Sequence, residues 1–202
     1  DVGDVGPPCT ATPEACDGVD NDCDDQIDEG VAKTFDTDLL TLAESQPAHR
    51  GRWPMASTSS GAWLYGGLHQ GANHDGSYSV VLDDLWEYDV DSGQWSTSAP
   101  VAGDGPGPRW GHAVAWLPEL GALLISGGLQ DSQSDGPPAK DLWAYFPATQ
   151  TWVLVAQQAE SALPTGTAWH TLTAVGEQQV LMAGGGESNE TWLGTIAELP
   201  GN

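Results

Sequence analysis

Residues 16–29 read Cys-Asp-Gly-Val-Asp-Asn-Asp-Cys-Asp-Asp-Gln-Ile-Asp-Glu, the most chemically loaded stretch of the chain. Asp20, Asp22 and Asp24 fall at alternate positions. Carboxylates with that spacing on a tightly turning backbone can converge on one hard divalent cation such as Ca2+, which takes about six to eight oxygen ligands. Zinc suits the segment poorly. The surrounding carboxylates are hard ligands, no His lies within residues 1–48, and the Cys spacing is not C-x2-C. All three Cys, at 9, 16 and 23, are seven apart, and none follows. That clustering predicts a local disulfide staple and an oxidising compartment, with the choice of partners among Cys9, Cys16 and Cys23 left open.

Set on an EF-hand frame, Asp20, Asp22 and Asp24 take loop positions 1, 3 and 5, Gln26 offers its backbone carbonyl at 7, and Asp28 falls at 9. Position 6, normally Gly, is Asp25, and position 12 is Val31 rather than a bidentate Glu, so a standard EF-hand is not expected. The pattern Glu14-x-Cys-Asp-Gly-x-Asp-Asn-Asp-Cys-Asp-x-x-x-Asp-Glu closely resembles the MopE-like Asp/Cys-rich metal-binding repeat of secreted and surface proteins of myxobacteria and their relatives. Asp25 departs from it, since that family usually has Gly there. The resemblance implies calcium-type binding by Asp20, Asp22, Asp24 and Asp28, with Asp17 and Glu29 as further ligands, in a secreted or cell-surface bacterial protein. A merely solvating acidic linker would need neither the alternation nor the interleaved Cys and Ile27.

The rest of the chain must hold such a loop in a strongly acidic context. Against 29 Asp and Glu stand five Lys and Arg, a net charge of −24. That balance argues against nucleic acid or an anionic membrane surface as partner and favours bound cations or high salt. No apolar run of about 18 residues marks a transmembrane segment, and no basic region followed by an apolar stretch marks a signal peptide. Residues 1–8 read as a Pro/Gly-containing linker, opening on Asp1 as a processed or excerpted chain would. Residues 9–31 form the metal motif, and 34–202 the larger unit.

That larger unit repeats. Arg109-Trp-Gly-His112, Gly127-Gly128, Asp141-Leu-Trp-Ala-Tyr145 and Trp152 have upstream echoes in Arg52-Trp53, Gly66-Gly67, Asp84-Leu-Trp-Glu-Tyr88 and Trp95. Downstream echoes are Trp169-His170, Gly184-Gly185 and Glu190-Thr-Trp192. Trp53 to Trp110, Trp86 to Trp143 and Trp95 to Trp152 each span 57 residues, and Trp110 to Trp169 spans 59. Approximate repeats run 48–97, 107–155 and 164–202. With 26 Gly, 14 Pro and short apolar runs, the middle repeat reads as four strands near 113–116, 122–126, 141–145 and 152–155. The expectation is all-β.

These residues resemble the kelch repeat, whose period is about 50 residues. The resemblance covers roughly 34–202 and implies four-stranded β-propeller blades. Met55 stands where the aligned His is expected, and the third unit lacks the Arg, the Tyr and a clear fourth strand. Kelch-like propellers close with about four to eight blades, and only about three are visible. The chain therefore reads as a segment of a longer propeller or as one that pairs with another copy, residues 35–42 supplying an outer strand to the last blade or to one upstream.

His112 and His170 recur at one phase, as Trp53, Trp110 and Trp169 do, and repetition argues for packing, with polar groups hydrogen bonded to backbone at blade junctions. The double glycines read as close approach or a bulge. One end of the blades carries the connections between second and third strands, expected as long loops over 68–82 (His69, His74, Asp75, Tyr78) and 129–139 (Asp131, Asp135). Connections between blades add Asp104 and Arg109 there. This end is the expected recognition face for a protein or glycan. Loop polarity accounts for His69, His74 and Asp75 better than a metal does. Two other functions suit the same repeats: a structural surface or matrix repeat with no discrete ligand, and a copper oxidase resembling galactose oxidase. The propeller portion has no Cys for a thioether-linked Tyr and no nucleophile, base and oxyanion set.

Overall fold

The computed structural model describes Thr12, Asp20, Asn21, Cys23, Asp25 and Gln26, and residues 45–71, 78–98, 105–133, 136–157, 168–186 and 189–196. The chain forms two compact units, Asp1–Leu40 and Thr41–Asn202. Among the described residues every regular element is a strand, and no helix is long and apolar enough to cross a membrane.

The second unit contains three antiparallel sheets. The first is ordered β1 (Met55–Ser57), β2 (Gly61–Gly71), β3 (Tyr78–Asp89) and β4 (Gln94–Ser98). The second is β5 (Ala113–Leu117), β6 (Ala122–Ser126), β7 (Asp141–Phe146) and β8 (Thr151–Gln157). The third has β9 (Thr171–Ala174), β10 (Gln179–Ala183) and β11 (Thr191–Thr195). In each, sequence neighbours pair as spatial neighbours, and β1 packs beside β5 and β5 beside β9, so first strands line the inside of the array. This is the all-β, four-stranded blade architecture expected from the repeats. The third blade shows three strands among the described residues; the expected outer strand at 35–42 lies outside them.

Burial explains why the middle blade is the most apolar. Every residue of β6, Ala-Leu-Leu-Ile-Ser, is buried, because both faces of its sheet are covered. Leu123 and Ile125 join Trp63, Tyr65 and Leu85 of the first blade in one core, while Ala122 and Leu124 join Leu172, Val180 and Met182 of the third in another. Burying each such large aliphatic side chain contributes roughly 1.5–3 kcal/mol. β11, with nothing beyond it among the described residues, is exposed along its whole length.

Two expectations change. The connection after Gly66-Gly67 is not a loop over 68–82: β2 and β3 continue as a ribbon, pairing Leu68 with Val81, His69 with Val80 and Gln70 with Ser79. The double glycine bulges the strand at Tyr65/Gly67 instead of ending it, and the apolar, β-branched run Val80-Val81-Leu82 sustains the pairing.

The second change concerns the repeat register. Letter matching places Trp53, Trp110 and Trp169 together, but the backbone does not. Gly51 bridges Leu68, Trp110 bridges Leu129, and Gly186 donates to the Ala168 carbonyl, so Gly51, Trp110 and Ala168 are equivalent. The next residues, Arg52, Gly111 and Trp169, share left-handed backbone (φ 60, 64 and 68). The Gly111 N–H donates to the Arg52 carbonyl at 3.1 Å, and the Trp169 N–H donates to the Gly111 carbonyl at 2.8 Å, stitching blade to blade. Trp53 is thus the counterpart of His112 and His170, and Arg50, not Arg52, is the counterpart of Arg109.

Candidate functional site

An ion-paired clamp sets the entrance of the first and second blades. Arg109 is fully buried and donates to both Asp141 carboxylate oxygens at 2.8 and 3.0 Å, to the Gly127 carbonyl at 2.8 Å and to the Pro106 carbonyl. Trp143 Nε1 donates to the same carboxylate at 2.9 Å. In the first blade Arg50 donates to both Asp84 oxygens at 2.5 and 2.7 Å, and Trp86 Nε1 adds a bond at 2.6 Å. Partial burial alone would raise the Asp84 pKa, but the hydrogen bonds from Arg50 and Trp86 and the Arg50 charge outweigh it and hold the carboxyl below its usual range. In the third blade Trp192 Nε1 donates to Glu190 at 3.3 Å, and Thr167 occupies the sequence position of the clamp arginine. The recurring Asp-x-Trp is therefore a device that ties the third strand to the segment entering the blade.

Above the first strands lies a shallow depression of about 270 Å³ lined by Arg52, Trp53, Pro54, Gly111, His112, Trp169 and His170. The Arg52 guanidinium sits 4.8 Å from the Trp110 ring and 5.5 Å from the Trp169 ring, and the two indoles meet edge to face at 5.1 Å. Trp169 is half exposed. Gly128 lets the wall close: a Cβ there would stand 2.7 Å from His112 Cβ and 2.9 Å from the Trp110 carbonyl oxygen, on backbone at φ 90.

His112 and His170 are buried as packing residues, and the expected hydrogen bonds to backbone are poorly formed: only the Tyr65 backbone acts on His112 in that way. No ring nitrogen of either residue has a partner at normal hydrogen-bond geometry among the described residues. The adjacent backbone groups are already committed to the stitching between blades, whereas the counterpart Trp53 donates its Nε1 proton to the Arg50 carbonyl at 2.9 Å. Burial, reinforced by the Arg109 and His170 charges, lowers the His112 pKa to about 3, with the Tyr65 backbone opposing weakly. Burial alone lowers His170 to about 4. Both imidazoles are neutral at pH 7.

The residues expected on the recognition face divide. Arg109 is interior, held in the clamp. The Asp131 carboxylate accepts the N–H groups of Gln133 at 3.0 Å and Gly136 at 2.8 Å, and its carbonyl accepts Trp110 Nε1 at 2.5 Å, so Asp131 shapes the β6–β7 connection. His69 lies within β2, its Nδ1 against the His49 carbonyl. Tyr78 opens β3. His74, Asp75, Asp104 and Asp135 lie outside the described residues. Arg52 and Trp169 were missed as site residues, because aligned letters grouped each with the wrong counterpart; the shared left-handed turn was not visible in residue type.

Of the expected metal loop, Asp20, Cys23 and Gln26 are described, and Cys9, Cys16, Asp17, Asp22, Asp24, Asp28 and Glu29 lie outside. Asp20 Oδ1 accepts the Cys23 N–H at 2.6 Å, and Oδ2 accepts the Asp25 N–H at 2.9 Å. Asp25 itself is left-handed, φ 69, the conformation that Gly normally supplies at a sharp turn. The described residues thus fit a tightly turned acidic loop.

Residues 25–185 match the KLHDC2/KLHL20/DRC7 Kelch-repeats domain. Multiple epidermal growth factor-like domains protein 8 of Mus musculus and its Homo sapiens counterpart are each 31% identical over 156 residues, covering 75% of this chain. The aligned stretch is about 5% of the length of each of those relatives.

Proposed function

The chain belongs to the kelch-repeat family, a protein-interaction scaffold, and from that premise we propose that it is an extracytoplasmic, calcium-binding module whose recognition face is the end of the blades carrying the β2–β3 and β6–β7 connections. The observation that carries this reading is the backbone stitching of Arg52, Gly111 and Trp169. It fixes the blade entrances at that end, while the connections beside them differ in length and sequence: a paired ribbon in one blade, an Asp131-capped turn in the next. Variable connections on a rigid frame are where recognition resides. The partner is a protein or a glycan. Three blades among the described residues, with β11 exposed along its length, accord with further blades from a longer chain or a second copy.

For the N-terminal unit, the reading is a MopE-like calcium loop with Asp20, Asp22, Asp24 and Asp28 as ligands, the Gln26 carbonyl, Asp17 and Glu29 completing the shell, and Cys23 paired with Cys9 or Cys16. The turn at Asp20 and the left-handed Asp25 support it. A secreted or surface location and a bacterial source of myxobacterial type follow from the same resemblance. Calorimetry on the oxidised, calcium-stripped full chain is expected to show uptake of Ca2+ with a Kd on the order of 10⁻⁴ M, typical of extracellular modules. Asp20→Ala should abolish it; uptake that survives this change removes the loop as the site.

The recognition face is tested by replacing residues 131–136 with a Gly/Ser segment of equal length. A surface-protein or glycan ligand retained by the wild-type chain should be lost by the replaced chain while the urea unfolding midpoint stays within experimental error. Equal retention by both chains assigns binding to another surface.

A further inference from the structure

The connection between β10 and β11 carries a motif that neither the blade architecture nor the acidic loop uses. Asn189-Glu190-Thr191 is an Asn-x-Thr triplet, and of the four Asn in the chain only Asn189 heads an Asn-x-Ser/Thr triplet. Such a triplet, with x other than Pro, is the acceptor for N-linked glycosylation, a modification of surface loops in exported proteins. Glu187 stands two positions ahead of Asn189, which gives the acidic-x-Asn-x-Thr form that bacterial Asn-directed transferases accept.

The chemistry sets a demand on the fold. A carboxamide nitrogen is a poor nucleophile because its lone pair is delocalised into the carbonyl, so a transferase must grip and twist the amide. The acceptor therefore has to reach into the enzyme, with the Thr hydroxyl two residues on as the second point of grip. The third blade meets that demand. Asn189 and Thr191 are both exposed, and among the described residues no hydrogen bond takes up either side chain. The turn stands in open space, since a Cβ on Gly184 or on Gly186 would meet no atom within 4 Å. Its far end is anchored: the Gly184 N–H donates to the Glu190 carbonyl at 3.0 Å, Trp192 Nε1 donates to the Glu190 carboxylate at 3.3 Å, and Thr191 pairs with Ala183. Thr191 opens β11, whose five residues are all exposed and which has no neighbour on its outer side among the described residues. Drawing out such an edge costs little, because few buried apolar contacts hold it. The corresponding connections of the other two blades are a paired ribbon and an Asp131-capped turn, and neither carries the triplet.

We propose that Asn189 is the acceptor of an N-linked glycan, read by its transferase through Thr191. In the transfer, Asn189 Nδ2 attacks the anomeric carbon of a sugar carried on a lipid pyrophosphate. The N–C bond forms as the bond from that carbon to the phosphate oxygen breaks, and the lipid pyrophosphate departs with the electron pair. One amide proton passes through the transferase to solvent, and nothing is oxidised or reduced. The proposal rests on the extracytoplasmic reading, since lipid-linked sugar donors of this class are spent on the outer side of the membrane. It places a sugar on the third blade, at the end of the blades that carries the recognition face.

The test recovers the chain from its native source, separately from the cytosol and from the envelope and medium. The peptide holding residues 183–192 is sequenced by electron-transfer fragmentation, which leaves a sugar on its side chain. Chain from outside the cytosol is expected to carry the added mass on Asn189. Asn189→Gln and Thr191→Ala, introduced in the same source, should lose it, and Thr191→Ser should keep it. All three should unfold at the wild-type urea midpoint within experimental error, because these exposed side chains hold no contact. A bare Asn189 in chain recovered outside the cytosol overturns the proposal and leaves the extracytoplasmic reading standing. Chain confined to the cytosol with a bare Asn189 overturns both. A sugar on Ser188 or Thr191 in place of Asn189, or one on Asn189 that survives Thr191→Ala, also overturns the proposal.

Discussion

Arg109→Ala should destabilise the kelch unit by about 4 kcal/mol, the range found when one partner of a buried ion pair is removed. Arg109 has no exposed surface, and the Asp141 side chain is only 16% exposed. Truncation strands that carboxylate with Trp143 Nε1 as its remaining side-chain donor and leaves the Gly127 and Pro106 carbonyls without their guanidinium partner. Arg50→Ala should cost roughly half as much, because the Asp84 side chain is 35% exposed and water can replace part of what is lost. Replacing both members of the buried pair, as Arg109→Met with Asp141→Leu, should recover most of the stability by removing the stranded charge. Urea unfolding followed by tryptophan fluorescence measures all three. Equal losses for Arg109→Ala and Arg50→Ala would show that burial does not set the strength of these clamps.

Acid should weaken the same unit well above the carboxylate range. Unfolded His titrates near 6.5, whereas His112 and His170 in the fold titrate near 3 and near 4. Between pH 6.5 and about 4 the unfolded chain therefore binds protons that the folded chain refuses. The stability that neutral, buried imidazoles allow is complete above pH 6.5 and lost as pH falls through that window. One pKa unit corresponds to about 1.4 kcal/mol, so each His contributes on the order of 3 kcal/mol of destabilisation by pH 4. The groups acting on them are the Tyr65 ring, 5.7 Å from His112, the Arg109 charge and, on His112, the charge of His170 itself. Asp84, held low by Arg50 and Trp86, adds a loss in the same direction at lower pH, while Glu87, raised by burial and by Asp89, opposes it from a partly solvated position. Urea midpoints measured from pH 7 to pH 4.5 should correspond to uptake of about two protons on unfolding. The double variant His112→Gln, His170→Gln should flatten that slope; an unchanged slope assigns the acid lability elsewhere.

Much of this architecture is legible from local pattern. The apolar run of β6 and the Asp-Leu-Trp-x-Tyr of β3 and β7 state strand and repeat directly, because alternation and turn chemistry act over a few residues. The ribbon formed by β2 and β3 was hidden for the complementary reason. Gly66-Gly67 reads as punctuation, and only pairing with Val80-Val81-Leu82 turns it into a bulge within a longer strand. Arg109 and Arg52 illustrate the same division. Both precede a Trp, yet one is interior and clamped and the other lies on an indole shelf at the surface.

The acidic loop of residues 16–29 marks one end of that range. Its composition, the alternation of Asp20, Asp22 and Asp24, and the interleaved Cys belong to the sequence alone and are the ground of the proposed hard-cation chemistry, since ligand type and spacing are local properties of the chain. The blade entrance marks the other. Which of Arg50 and Arg52 corresponds to Arg109, whether Trp53 or Met55 stands for His112, and how Arg52, Trp169 and two buried imidazoles come to line one depression were decided only by tertiary structure. The reason is physical: equivalence between blades is set by backbone hydrogen bonds between segments nearly sixty residues apart, and a shift of one residue in that register exchanges a buried side chain for an exposed one.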